Sequence, residues 1–219
     1  VSAPPGLEQA LGLAAPPGSG VAVAAVGDDD LGSLCAEERR LVARARSTRR
    51  AEFVAGRSCA HRALAAIGAD VDAIGRGSRG QPLWPVGITG SISHTAGVAA
   101  AVVAPVSPSL ACLGIDLEQV GAVESGLWPE VMDAIEQAAC AAAAEPAVRA
   151  TAVFGAKEAA FKALYPVLGT ELGFLDAHVR LGAGDLGEVE VPSLELTIGV
   201  RRAVVGTIVV SVAVVGGGA

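Results

Sequence analysis

TAGVAAAVVAPVSPSLACLGI, residues 95–115, is the longest uncharged run in the chain, and its 21 residues match the length of a membrane-spanning helix. Pro105 and Pro108, with Ser107 and Ser109 beside them, divide it near the middle, and Gly97 and Gly114 stand close to its ends. Two buried strands joined by a turn at PVSPS explain the run better than one helix. The last apolar run, AVVGTIVVSVAVV from Ala203, is too short to span a bilayer and rich in valine, so it too reads as buried strand. No transmembrane helix is expected, although the mean hydropathy is +0.51.

Reading outward from PVSPS gives the fold class. On the N-terminal side, residues 1 to about 30 read as irregular chain with one strand, GVAVAAVG. The pattern turns helical at Leu34, and Ser47 or Thr48 caps a second helix that runs to about Ile67 and ends at Gly68. In that helix Phe53, Ala60, Leu64 and Ile67 recur at helical spacing and form one buried stripe, while Arg49, Arg50 and Arg57 fall largely off it. Residues 68–91 are rich in Gly and Pro and read as an extended loop region. On the C-terminal side an alanine-rich helix is expected from Asp133 to Ala144. A second begins at Pro146 and reaches about Leu164, where Tyr165-Pro166 stops it, and strands follow from Gly173 to Val215. Helices followed by strands, twice over, make an α+β protein of two similar halves, residues 1–108 and 109–219. Aromatics are only 3% of a chain that is 52% hydrophobic, so the core must be built from Ala, Val, Leu and Ile.

Charge and cysteine usage narrow the function. The net charge of −7 disfavours general nucleic-acid binding. Eight arginines nevertheless fall between Arg39 and Arg62, a local basic patch suited to a phosphorylated small molecule or an acidic partner. The four cysteines lie far apart with no CxxC pair, which argues against zinc and fits reduced thiols in a cytoplasm. The N-terminus has no basic region ahead of its first apolar residues, so no signal peptide is expected there.

Three stretches carry residues suited to chemistry. In LGIDLEQV, residues 113–120, Asp116 and Glu118 stand two apart at the end of an apolar strand and project to one side. Carboxylates held together repel unless a cation lies between them, and such a pair suits Mg²⁺ shared with substrate phosphates. The same spacing also fits a strand that turns polar at its tip. In FGAKEAAFKA, residues 154–163, Glu158 and Lys162 are four apart on one helix face. A surface Glu-Lys pair of this kind is ordinary, worth roughly 0.2–0.5 kcal/mol. However, Lys157 and Lys162 are the only lysines in a chain whose other fixed cations are all arginine. In GSISHTAG, residues 90–97, Ser91, Ser93 and His94 read as a turn leading into a strand, with groups able to cradle a phosphate. A Ser-His hydrolase is disfavoured, because G-x-S-x-G is absent and adjacent Ser93 and His94 cannot readily serve as nucleophile and base. His61 and His178 read as structural. Together the carboxylates, lysines, Gly-Ser-His segment and arginine-rich helix suggest magnesium and at least two phosphate groups, the setting of phosphoryl-type transfer.

These motifs also resemble those of a known family. LGIDLE followed about forty residues on by FGAKEAAFK resembles the paired signature of the 4′-phosphopantetheinyl transferases. EFVAGRSCAHRAL, residues 52–64, and GQPLWPVGITGSISH, residues 80–94, resemble the preceding motifs of the larger, Sfp-type members, above all the enterobactin-synthase-component branch. The resemblance covers roughly Arg49 to Tyr165. One departure is Gly155, which stands where many relatives carry Ser or Thr.

The resemblance implies a monomeric pseudodimer of two α+β halves with coenzyme A in the cleft between them. It implies transfer of 4′-phosphopantetheine from coenzyme A to a serine of an apo carrier protein or domain of a fatty-acid, polyketide or nonribosomal-peptide synthase, releasing adenosine 3′,5′-bisphosphate. Asp116, Glu118 and Glu158 resemble the ligands of Mg²⁺, for which Mn²⁺ is an alternative. Lys162 resembles the lysine that contacts the pyrophosphate and protonates the departing bisphosphate, and Lys157 is implied as a further phosphate contact. Ser93 and His94 match phosphate-binding positions. Arg49, Arg57 and Arg76 match those holding the 3′-phosphate or adenine end. Glu158 is the candidate base for the carrier serine. Two other readings stay open at this stage, a metal-dependent nuclease and a non-catalytic coenzyme A-binding protein of the same fold.

Overall fold

The computed structural model describes residues 2–27, 30–169 and 172–216. The chain divides into two units, Val1–Val106 and Ser107–Ala219, and each lays a long helix on an antiparallel sheet. The α+β class is therefore realised twice.

The first unit runs through α1 (Leu7–Ala14), β1 (Gly20–Ala25), α2 (Ala36–Val42) and α3 (Ser47–Ala66). A two-residue ladder of β2 (Gly75–Arg76) with β3 (Pro82–Leu83) follows, and then β4 (Ile88–Thr95) and β5 (Val98–Pro105). The sheet order is β1-β5-β4, all antiparallel. Small residues let α3 lie close on it. A Cβ on Gly20 would come within 1.9 Å of the Ala63 carbonyl oxygen, and one on Gly56 within 3.0 Å of Ile92. The core beneath α3 is made of Ala22, Ala60, Ala63, Leu64, Ala99, Ala101 and Val103, which is how a chain poor in aromatics closes a core. Val98 to Ala104 are at most 1% exposed, so β5 is buried on both faces and its sequence shows no alternation.

Three expectations change in this unit. The N-terminal stretch contains α1, whose Leu7, Leu11 and Ala14 are buried at helical spacing but whose Pro and Gly flanks suggest irregular chain. Residues 68–91 are not one loop, since they contain the short β2–β3 ladder and the start of β4. The Gly-Ser-His segment is also not a turn. Gly90 to Thr95 belong to β4, and the turn lies at Ala96-Gly97, both with positive φ, as a two-residue type I′-like hairpin requires.

The second unit runs through β6 (Cys112–Gln119), α4 (Trp128–Val131), α5 (Ala134–Ala141) and α6 (Pro146–Leu168). It ends with β7 (His178–Leu181), β8 (Leu186–Val191), β9 (Leu196–Val205) and β10 (Ile208–Val215). Its sheet is antiparallel in the order β6-β10-β9-β8-β7. Asp133 caps α5 in a reciprocal capping box with Glu136. The proline at 166 does not end α6, which continues to Leu168 and closes at Gly169 in the left-handed conformation with its N–H on the Tyr165 carbonyl. Proline forfeits one backbone bond but has a helical φ, so in a last turn it is tolerated and the glycine sets the end. Against the sheet, a Cβ on Gly114 would come within 1.9 Å of the Ala159 carbonyl oxygen. That contact seats α6 on β6. Among the described residues no helix is long and apolar enough to cross a membrane.

Candidate active site

β6 and α6 assemble the acidic cluster. Alternation places Gly114, Asp116 and Glu118 on the face of β6 that α6 covers, and Leu113, Ile115 and Leu117 on the other. Along α6, Gly155, Ala159 and Lys162 meet that face one turn after another: Gly155 lies over Asp116 and Ser211, Ala159 over Gly114, and the Lys162 ammonium donates to Asp116 Oδ1 at 2.5 Å. Asp116 is only 3% exposed. Burial, then the neighbouring Asp116, pushes the Glu118 carboxyl up to about 7; Lys162 opposes this and Glu158 adds to it. Burial likewise raises Glu158, with Lys162 opposing and Asp116 adding. Asp116, Glu118 and Glu158 thus form one electrostatic group that a single ammonium does not neutralise.

The donor chemistry of this group fits a hard divalent cation, being all oxygen and short of positive charge. Among the described residues no three carboxylate, imidazole or thiol groups already stand at metal-ligand spacing. In this arrangement the Lys162 ammonium supplies the cationic contact to Asp116.

The basic residues of the first unit fall into two groups. Arg49 Nη1 lies 2.9 Å from His94 Nε2, and Glu52 contacts both, at 3.3 Å from Arg49 and 3.7 Å from His94. His94, Glu52, Ser47 and Thr48 line a cleft of about 400 Å³ at the N-terminus of α3. No side chain caps that helix end, so its first N–H groups add to an anion-favouring field. Ser93 is not part of this group. It follows His94's neighbour Ile92 on a regular strand, is 5% exposed, and faces away from the α3 side on which His94 and Ile92 sit. Ser93 and His94 therefore do not form one cradle.

The second group joins Arg57 and Arg76. Arg57 is 3% exposed, donates through Nη2 to the Gly75 carbonyl at 3.0 Å, and stacks 4.9 Å from the Phe53 ring. Its Nη1 is buried and meets no acceptor among the described residues. Burial lowers its pKa, Glu38 opposes that, and nearby Arg76 adds to it, which places the two guanidiniums in each other's field.

Lys157 is placed elsewhere. It is fully buried, and its ammonium donates to Glu136 Oε2 at 2.7 Å and to the carbonyls of Val131 and Phe174, each at 2.9 Å. All three donors are committed inside the second unit, so the expected phosphate contact is corrected to an internal anchor. Glu136 also accepts from the backbone of Asp133 and Val179, and Asp133 Oδ2 lies 2.7 Å from His178 Nδ1. His178 and His61, which lies 3.0 Å from Glu38, both serve internal pairs. Sequence reasoning missed Glu136, hidden in an alanine-rich helix, and Phe174, which stacks on Phe154 at 5.2 Å. It also missed Ser211, although one serine in an otherwise apolar strand was a visible signal.

The first unit carries ten arginines against nine carboxylates, and the second six cations against fourteen, so the excess negative charge lies in the unit that carries the acidic cluster.

Comparison with known proteins adds the following. Residues 37–104 match the 4′-phosphopantetheinyl transferase N-terminal domain, and residues 112–207 match the 4′-phosphopantetheinyl transferase superfamily. The 4′-phosphopantetheinyl transferase Npt of Nocardia iowensis is 36% identical over 163 residues, 73% of this chain and 72% of that protein. PptT of Mycobacterium tuberculosis is 35% identical over 69% of this chain and 66% of its own length. Enterobactin synthase component D of Salmonella typhi is 40% identical over 52% of this chain and 48% of its own.

Proposed function

The chain belongs to the 4′-phosphopantetheinyl transferase superfamily, and we propose that it transfers 4′-phosphopantetheine from coenzyme A to a serine hydroxyl of apo carrier proteins. The observation that carries this reading is the grouping of Asp116, Glu118, Glu158 and Lys162 between β6 and α6, inside the segment that matches the superfamily. A nuclease reading has no comparable support, and a purely binding role leaves the acidic cluster without a task.

Asp116, Glu118 and Glu158 would hold Mg²⁺, or Mn²⁺ in its place. When bound, that ion neutralises pyrophosphate charge and favours phosphoryl transfer. Lys162 leaves Asp116 for the pyrophosphate and gives a proton to the departing bisphosphate oxygen. Glu158 takes the proton of the carrier serine. The serine oxygen bonds to the β-phosphorus, and the phosphorus–oxygen bond to adenosine 3′,5′-bisphosphate breaks. The two groups of the first unit, Arg49 with His94 and Arg57 with Arg76, would take the 3′-phosphate end, with Arg57 Nη1 a buried donor that none of the described residues uses. We read the active form as a monomer acting on fatty-acid, polyketide or peptide carriers.

Intact mass spectrometry of an apo carrier incubated with the protein, coenzyme A and Mg²⁺ tests this. The expected result is a gain of one phosphopantetheine that EDTA and Glu158→Gln both abolish. No gain on any carrier class, with coenzyme A bound, returns the binding-protein reading. A second result separates the two units' roles. Arg49→Ala should raise KM for coenzyme A about tenfold with kcat little changed, as loss of a charge-assisted contact of roughly 1.5 kcal/mol requires. An unchanged KM would remove Arg49 from the coenzyme site.

A further inference from the structure

β10 reads IVVSVAVV, and its single polar side chain, Ser211, is fully buried. A valine or alanine would fill the strand as its neighbours do, so packing alone does not call for a hydroxyl. The Ser211 Oγ meets no hydrogen-bond partner among the described residues, although leaving such a group unsatisfied is destabilising.

Its position is specific. In the β6–β10 register Ser211 stands opposite Asp116. Above both lies Gly155 of α6, where a Cβ would be 3.1 Å from Ser211 Oγ and 3.4 Å from Asp116 Oδ2. The two oxygens therefore flank one spot that the glycine leaves open. Asp116's other oxygen, Oδ1, is the one Lys162 binds.

We propose that Ser211 is a positioning residue for Asp116. A serine hydroxyl rotates freely and donates one hydrogen, and one bridging water at the spot under Gly155 would carry that hydrogen bond to the Asp116 carboxylate beside it. Held at Oδ2, the carboxylate would keep its plane if Lys162 left Oδ1 for a phosphate, leaving Oδ1 available to a cation. Groups behind a ligand commonly act this way, and their loss costs about ten- to a hundredfold in metal affinity or activity. The inference rests on the reading of the acidic cluster given above.

The test titrates Mn²⁺ by electron paramagnetic resonance with saturating coenzyme A, and measures steady-state transfer alongside. Ser211→Ala should weaken Mn²⁺ and lower kcat, each about tenfold or more, with KM for coenzyme A unchanged and the melting temperature near that of the parent. Adding Gly155→Ser to Ser211→Ala should recover both, because the new hydroxyl reaches the same Oδ2 while the clash with Ser211 Oγ is gone. Parent-like Mn²⁺ binding and turnover in Ser211→Ala overturn the proposal. So does a loss that Gly155→Ser fails to recover, since the effect would then be packing and not the hydroxyl. A parent protein that binds Mn²⁺ and transfers nothing sinks the functional reading instead, and the Mn²⁺ series still decides Ser211.

Discussion

Lys157→Met is expected to destabilise the second unit by about 3–5 kcal/mol, seen as a fall of roughly 6–20 °C in its melting transition, with KM for coenzyme A unchanged. The cause is the ammonium. It sits at 0% exposure, with three donors on one carboxylate oxygen and two carbonyls. Methionine keeps the volume and the straight stem but leaves Glu136 as a buried carboxylate without its cation, and the Val131 and Phe174 carbonyls without a donor. Glu136 in turn holds the N-terminus of α5 and the start of β7, so the loss spreads through the elements around α6. Lys157→Arg should also be harmful, because a planar fork does not fit three acceptors arranged around a compact ammonium. Combining Lys157→Met with Glu136→Gln should lose less than the two single changes summed, with a coupling of roughly 1–3 kcal/mol. Calorimetry decides. A Lys157→Met protein that melts like the parent while its KM for coenzyme A climbs would restore the phosphate contact and refute the internal anchor.

The misplacement of Lys157 shows what the sequence held and what reading it missed. Five residues on a helix amount to a turn of about 140° beyond one full circle, so Lys157 and Lys162 never shared a face. Glu158 and Lys162, four apart, did, and that pairing put both beside the strand bearing Asp116 and Glu118. The same period-two rule that placed those two carboxylates together also separates Ser93 from His94 once both lie in a strand. That separation was lost because Gly90 and Gly97 made the segment look like a turn. Residues 95–115 are legible as two strands because Pro105 and Pro108 cannot sit inside a helix and mark where the first strand ends. Glu136, Phe174 and Ser211 were less legible. Their roles depend on which element lies across from them, and only the β6–β10 register and the docking of α6 supply that. Where local pattern determines a contact, it was readable; where long-range pairing does, the same residues looked like filler.

The largest effect on chemistry is expected at Lys162. Lys162→Arg should retain coenzyme A binding within a few-fold while kcat falls about 10²–10⁴-fold, the usual contribution of a positioned general acid. The guanidinium keeps a permanent positive charge and can still pair with Asp116, so the electrostatic part of the site survives. What it cannot do near neutral pH is release a proton to the departing phosphate. Lys162→Ala removes both charge and proton, and should therefore lower kcat at least as far and raise KM as well. The pair of variants separates the roles: a charge-only lysine makes arginine nearly as good as the parent, whereas a proton donor makes arginine nearly as poor as alanine in kcat. Steady-state kinetics with a carrier that the parent modifies supplies the comparison. This distinction also gives a physical reason for lysine at this position in a chain that otherwise relies on arginine. Lys157 is served by a compact ammonium with three donors in a closed space, and under the proposed mechanism Lys162 would be served by a cation able to give up its proton.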